Sequence, residues 1–135
     1  SSFSAGEHND CVAMAKQFAD RTHFVHLRSC YIFPNGNFTE ASHLGGRGHL
    51  IDLCRIFEKA EQEGKCNSGR RLPMRVDHGM TFTDEPGGVF DESNHGHNAG
   101  YTLLGRMFAM GQIQGVIATV DDELGIEYKQ PGFYD

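Results

Sequence analysis

Two short runs of strand-forming residues, separated by a long loop and an amphipathic helix, constrain this chain more than anything else in it. The first run is Thr22-His23-Phe24-Val25-His26-Leu27-Arg28 and the second is Pro73-Met74-Arg75-Val76-Asp77-His78-Gly79. Between them, His49 to Lys65 places Leu50, Leu53, Cys54, Phe57 and Ala60 on one side and Asp52, Lys59, Glu61 and Glu63 away from it. That spacing predicts a helix with one apolar face, stopped by Gly64 or by Gly69. Strand, helix, strand in that order is a crossover unit, whose strands run parallel with a right-handed connection. The expected class is therefore α/β.

Side chains alternate across a strand. Phe24, His26 and Arg28 share one face of the first run, and His23, Val25 and Leu27 share the other. In the second run Arg75 and Asp77 oppose Met74 and Val76. The apolar faces belong against covering helices, with His23 on that side. His26, Arg28, Arg75 and Asp77 then lie together near the strands' C-terminal ends, and His78 sits where the second strand breaks into a loop. Ligands of α/β proteins bind at that end, and charges in a packed strand are costly unless they pair or serve a site. A plain Arg75–Asp77 ion pair on a solvated edge strand is the alternative.

Around this unit, Asn9 and Asp10 can cap a helix in which Cys11, Met14, Ala15 and Phe18 recur at helical spacing, ended by Asp20-Arg21. Cys30 to Gly48 is expected to be a long loop with a turn at Pro34-Asn35-Gly36-Asn37. It carries Glu40 and His43, solvated loop residues when taken alone. Gly79 to Asn98 is expected to be a second loop. From Gly100 a helix runs through Leu103, Met107, Ile113 and Val120, with Gly105, Gly111 and Gly115 allowing a break near Gly111. Tyr101 at its start is by itself a packing residue. The tail, residues 121–135, is expected to be loosely held.

Composition narrows the function classes. The 135 residues suit one domain, and a net charge of −6 argues against a nucleic-acid surface. No apolar run reads as approaching the roughly 18 residues of a membrane span, and Ser1 onward does not read as a signal peptide. Cys11, Cys30, Cys54 and Cys66 are too irregularly spaced for a zinc knuckle and read as reduced thiols, so a cytoplasmic protein without a membrane partner is expected.

Four blocks in order then resemble one family. His23-Phe24-Val25-His26-Leu27-Arg28, Phe38-Thr39-Glu40 with His43-Leu44, Pro73-Met74-Arg75-Val76-Asp77-His78-Gly79 and Gly100-Tyr101-Thr102-Leu103-Leu104-Gly105-Arg106 are similar to the C-terminal part of mannonate dehydratase, over about Phe3 to Val120. The resemblance implies a fragment of a (β/α)8 TIM barrel of the xylose-isomerase-like superfamily, a single partial domain of about two parallel strands with flanking helices. It implies dehydration of the sugar acid D-mannonate to 2-keto-3-deoxy-D-gluconate in bacterial hexuronate catabolism, with Mn2+ or another divalent metal such as Fe2+.

On the same resemblance, His26 and Asp77 are metal ligands, and Tyr101, His78 and Arg75 are catalytic. Arg28, Glu40 and His43 bind substrate, the last two from a loop that closes on the site. Either Tyr101 or His78 is the base and the other the acid. A closed barrel takes roughly 250 residues, and the family's remaining ligands, a cysteine and a histidine, lie upstream of Ser1. The isolated chain is accordingly expected to be inactive and to self-associate through its open strand edges. Two alternatives stand beside the dehydratase: an inactive half-barrel held together as a homo-oligomer, and a sugar isomerase or metallohydrolase of the same superfamily.

Overall fold

The computed structural model describes residues 9–80 and 103–128. It opens with helix α1 (Cys11–Phe18), which Asp10 caps by accepting a hydrogen bond from the Ala13 amide at 2.9 Å. A single 3-10 turn, Ala19–Arg21, ends it where expected. The chain then enters strand β1 (Val25–Leu27), turns into a hairpin of β2 (Cys30–Ile32) and β3 (Phe38–Glu40), and forms helix α2 (Leu50–Gln62). Strand β4 (Met74–Val76) and helix α3 (Leu103–Leu124) follow.

The crossover is present as expected. β1 and β4 pair in parallel, with Val25 opposite Met74, His26 opposite Arg75 and Leu27 opposite Val76. Val25, Leu27 and Val76 are buried beneath α2 and α3 with Cys54, Phe57, Leu72, Ile113 and Val120, while His26 and Arg75 are exposed. α2 stops at Gly64, whose φ of +66° a residue with a Cβ adopts poorly, and Lys65 closes the end by donating to the Ala60 carbonyl at 2.8 Å. Two parallel strands flanked by helices make an α/β unit.

Three expectations need correction. The segment after Cys30 is not a plain loop. Its turn is at the expected Pro34–Asn37, with Gly36 at φ +87° and the Asn35 side chain accepting from the Asn37 amide at 3.0 Å, but antiparallel strands flank it. Tyr31, Ile32 and Phe38 are β-favouring residues, so the signal was present. Second, α3 shows no break at Gly111 and continues through Asp121 to Leu124. The polar run there is helical because it packs: Asp121 is buried, and the Glu123 carboxylate accepts two 2.8 Å hydrogen bonds from Arg55 of α2. Third, α3 is 22 residues long with a mean hydropathy of 1.2 in its most apolar window, enough by length and composition to cross a membrane. Glycines and polar residues dilute that run and hide it in the sequence. Its buried stripe Ala109, Ile113, Val116 and Val120 lies within the core shared with α2 and β4.

Where α2 meets α3, two carboxylates are buried together. Glu58 is 9% exposed and Asp121 5% exposed, near enough for the charge of Asp121 to bear on the Glu58 carboxyl. Asp121 Oδ1 is buried with no donor among the described residues. Burial first, then the charges of Asp121 and Glu61, push the Glu58 carboxyl up to about 7 against the opposing pull of Arg71, and burial raises Asp121 as well. A carboxyl whose folded value lies above its unfolded one stabilises the fold below the unfolded value, near 4.5, and that contribution is lost as pH rises through about 7. Thermal stability should therefore fall between pH 5 and pH 8 by on the order of 2 kcal/mol. Melting curves across that window test this. Glu58→Gln, a neutral isostere, should flatten the dependence, and an equally steep curve in that variant would rule the pair out as its source.

Candidate functional site

The parallel register decides which side chains can meet. Residues opposite one another in neighbouring strands point to the same face. His26 and Arg75 therefore share the face turned away from the helices. The ladder continues one step further, because the Asp77 amide donates to the Leu27 carbonyl at 2.9 Å, bringing Asp77 alongside Arg28. All four groups expected at the strands' C-terminal ends thus share one face of the strand pair. The simple Arg75–Asp77 ion pair is not among the salt bridges of the described residues; the Arg75 Nε instead lies 3.4 Å from the Val76 carbonyl. His23, on the opposite parity, leaves the sheet and meets Asn67 Oδ1 at 3.2 Å through Nδ1.

His78 follows with φ of +60°, the left-handed region that a non-glycine residue occupies only when its surroundings hold it there. Its side chain is 14% exposed, with Nδ1 3.3 Å from Glu40 Oε1 and Nε2 3.9 Å from Asp77 Oδ1. Glu40 arrives from β3. It accepts from Arg28 Nε at 3.2 Å through Oε2 and from Arg28 Nη2 through Oε1. The Cys30 thiol, pushed up to about 12 by burial and then by the Glu40 charge, remains protonated and sits 3.9 Å from Glu40 Oε2. The missed hairpin therefore delivers Glu40 to the strand ends.

His43, expected beside Glu40 on a closing loop, is 2% exposed. Its Nε2–H donates to the Leu27 carbonyl at 2.7 Å, and its amide donates to Gln112 Oε1 of α3 at 2.9 Å. Burial pushes its pKa below the ordinary histidine value, against the pull of the Leu27 carbonyl, so the ring stays neutral. In this arrangement it pins the hairpin's exit to β1 and α3. Ser29 does similar work that the sequence did not signal, accepting from the Gly48 amide at 3.1 Å and donating to the Gly45 carbonyl. The turn it holds requires Gly46, at φ +63°, where a Cβ would meet the Cys30 carbonyl oxygen at 2.6 Å. Tyr101 lies outside the described residues, as do His95 and His97.

For a metal, the face offers an imidazole at His26 and a carboxylate at Asp77. Among the described residues no three His, Cys, Asp or Glu side chains lie close enough to hold an ion. These residues alone do not make a metal centre, and catalytic sites usually have at least three protein ligands. Beside His26, a cavity of about 740 Å³ runs between α1 and α2, lined by Met14, Phe18, Val25, His26, Leu53 and Phe57 among others. β1 pairs only with β4, so its other edge is open among the described residues. Met14 and Phe18, expected on α1's packing side, are 43% and 39% exposed.

Comparison with known proteins agrees with the four-block resemblance. The D-mannonate dehydratase (UxuA) family matches residues 1–126. Mannonate dehydratase 2 of Agrobacterium fabrum is 37% identical over 125 residues, covering 91% of this chain and 30% of that protein. The mannonate dehydratase of Saccharophagus degradans is 34% identical over 89% of this chain and 29% of its own length, and that of Brucella canis is 32% identical over 84% and 26%. The chain thus spans under a third of the length of these relatives.

Proposed function

The chain belongs to the D-mannonate dehydratase family, and on that premise we propose that it supplies one wall of a site that removes water from D-mannonate to give 2-keto-3-deoxy-D-gluconate. The observation that carries this reading is the shared face of β1 and β4. It sets His26 beside Arg75 and Arg28 beside Asp77, at the end of a parallel pair where such proteins bind ligands.

In this reading the enzyme is part of a (β/α)8 barrel, and the groove beside β1 is where the next parallel strand packs. His26 and Asp77 are two donors to a divalent metal such as Mn2+, the other ligands coming from outside the described residues. When bound, the metal offsets the negative charge that develops on the substrate. The chain's own groups do the rest. Arg75 holds the substrate carboxylate with an exposed guanidinium. A proton beside a carboxylate is very weakly acidic, so its removal needs a base and the departing hydroxyl needs an acid. His78, held at the strand end against Glu40 and Asp77, takes one of these roles and Tyr101 the other.

The test is turnover by an intact enzyme spanning the full length of the relatives. D-Mannonate should lose water to give a 2-keto-3-deoxy acid, and D-xylose or another aldose should not be isomerised. Aldose isomerisation with mannonate left untouched would replace this reading with that of a sugar isomerase.

A further inference from the structure

The hairpin of β2 and β3 has a consequence at Arg28. The Arg28 guanidinium follows β1 and is part-buried, its side chain 26% exposed. β3 holds it in two ways. Both Glu40 carboxylate oxygens are engaged, Oε2 with Nε at 3.2 Å and Oε1 with Nη2, while the Phe38 ring lies 5.4 Å from Cζ. A guanidinium bound along one edge and stacked on an aromatic ring loses its freedom to rotate, which a lysine in its place would retain. The remaining Nη1 end makes no hydrogen bond among the described residues. Glu40 itself, its side chain 10% exposed, has both oxygens committed to Arg28, with His78 Nδ1 3.3 Å away and the Cys30 thiol at 3.9 Å. Little accepting capacity is left for a ligand.

Resting on the dehydratase reading above, we propose that Glu40 is a positioning residue: it acts through Arg28, fixing the guanidinium so that its free Nη1 end meets the hydroxyl groups of the sugar acid on the open face. Because Glu40 balances the charge of Arg28, this fork contributes directional hydrogen bonds more than net attraction. The uncompensated charge for the substrate carboxylate is left to Arg75.

Two measurements test this together. In the intact enzyme, Glu40→Gln should raise KM for D-mannonate about tenfold to a hundredfold, the range for a hydrogen bond to a charged group, with a much smaller change in kcat. Arg28→Lys should do the same, and the double variant should be no worse than the worse single one, because both remove one device. In the 135-residue chain, the Arg28 Nε–H signal in NMR should be protected from solvent exchange and should lose that protection in Glu40→Gln. A fall in kcat at unchanged KM would overturn the proposal, since Glu40 would then act on proton transfer through His78. Strictly additive losses, or an unprotected Nε–H in the wild type, would overturn it as well. The NMR signal reports the clamp whether or not mannonate is turned over, so a protected signal in an enzyme inactive on mannonate would count against the dehydratase reading and not against the clamp.

Discussion

His78→Asn should lower kcat for D-mannonate in the intact enzyme by about 10²- to 10⁴-fold, the usual contribution of a general acid or base, or roughly 3–5 kcal/mol of barrier. Asparagine is the informative replacement. His78 sits at φ +60°, a conformation asparagine tolerates better than other residues with a Cβ. The backbone at the end of β4 is then kept while the imidazole is removed. Its amide can still fill much of the space beside Glu40 and Asp77 but cannot carry a proton. Folding and melting temperature should change little, so the loss would be chemical. Near-normal kcat in this variant would remove His78 from the proton-transfer steps.

The second large effect is on stability. Gly79→Ala should destabilise the fold by about 2–3 kcal/mol, the cost of forcing extra volume into a packed site, seen as a fall in Tm of roughly 10 °C. A Cβ built at Gly79 meets the Gly105 carbonyl oxygen at 2.6 Å and its carbon at 2.8 Å, with the Arg106 nitrogen at 3.2 Å. All three are backbone atoms of α3, so no side-chain rotation relieves the clash. The close approach of these two glycines seats α3 against the residue after His78, and Gly79→Ala should therefore disturb the site as well as the fold. Gly111→Ala is the matched control. Nothing lies within 4 Å of a Cβ there, and in a helix interior the exchange should stabilise by about 0.5–1 kcal/mol. Equal melting temperatures for the two variants would show that the α3 contact is looser than described.

The parallel pair was legible in the sequence because Val25, Leu27, Met74 and Val76 alternate strictly with polar partners, and a one-residue slip would turn every side chain over. Face and register then follow, and with them the grouping of His26, Arg28, Arg75 and Asp77. The hairpin is less legible than its turn. Tyr31, Ile32 and Phe33 do not alternate in polarity, and β3 is only three residues long, so neither flank carries a period. Glu40 was singled out from the family resemblance, but its pairing with Arg28 joins residues 12 apart across that hairpin and has no local signal. His43 looked like a solvated loop residue because the sequence does not show that the Leu27 carbonyl requires a donor at the end of β1. The last turn of α3 reads as tail in the sequence because Asp121, Asp122 and Glu123 are acidic. Glu58 and Arg55, distant in sequence, make two of those residues helical.

The proposed reading makes the His26–Arg75 face of the β1–β4 pair the active one, and paired substitutions of His26 on β1 and His23 just before it test that most directly. His26 and His23 lie three residues apart on opposite parities, His26 in register with Arg75 and His23 against Asn67. Initial rates of D-mannonate dehydration in the intact enzyme should fall at least a hundredfold for His26→Gln, as expected for loss of a metal ligand or a group beside the reacting atoms, and stay within about threefold of wild type for His23→Gln, a surface change away from the site. If His23→Gln proves as damaging as His26→Gln, or His26→Gln keeps near-normal turnover, the active face has been assigned to the wrong side of the sheet.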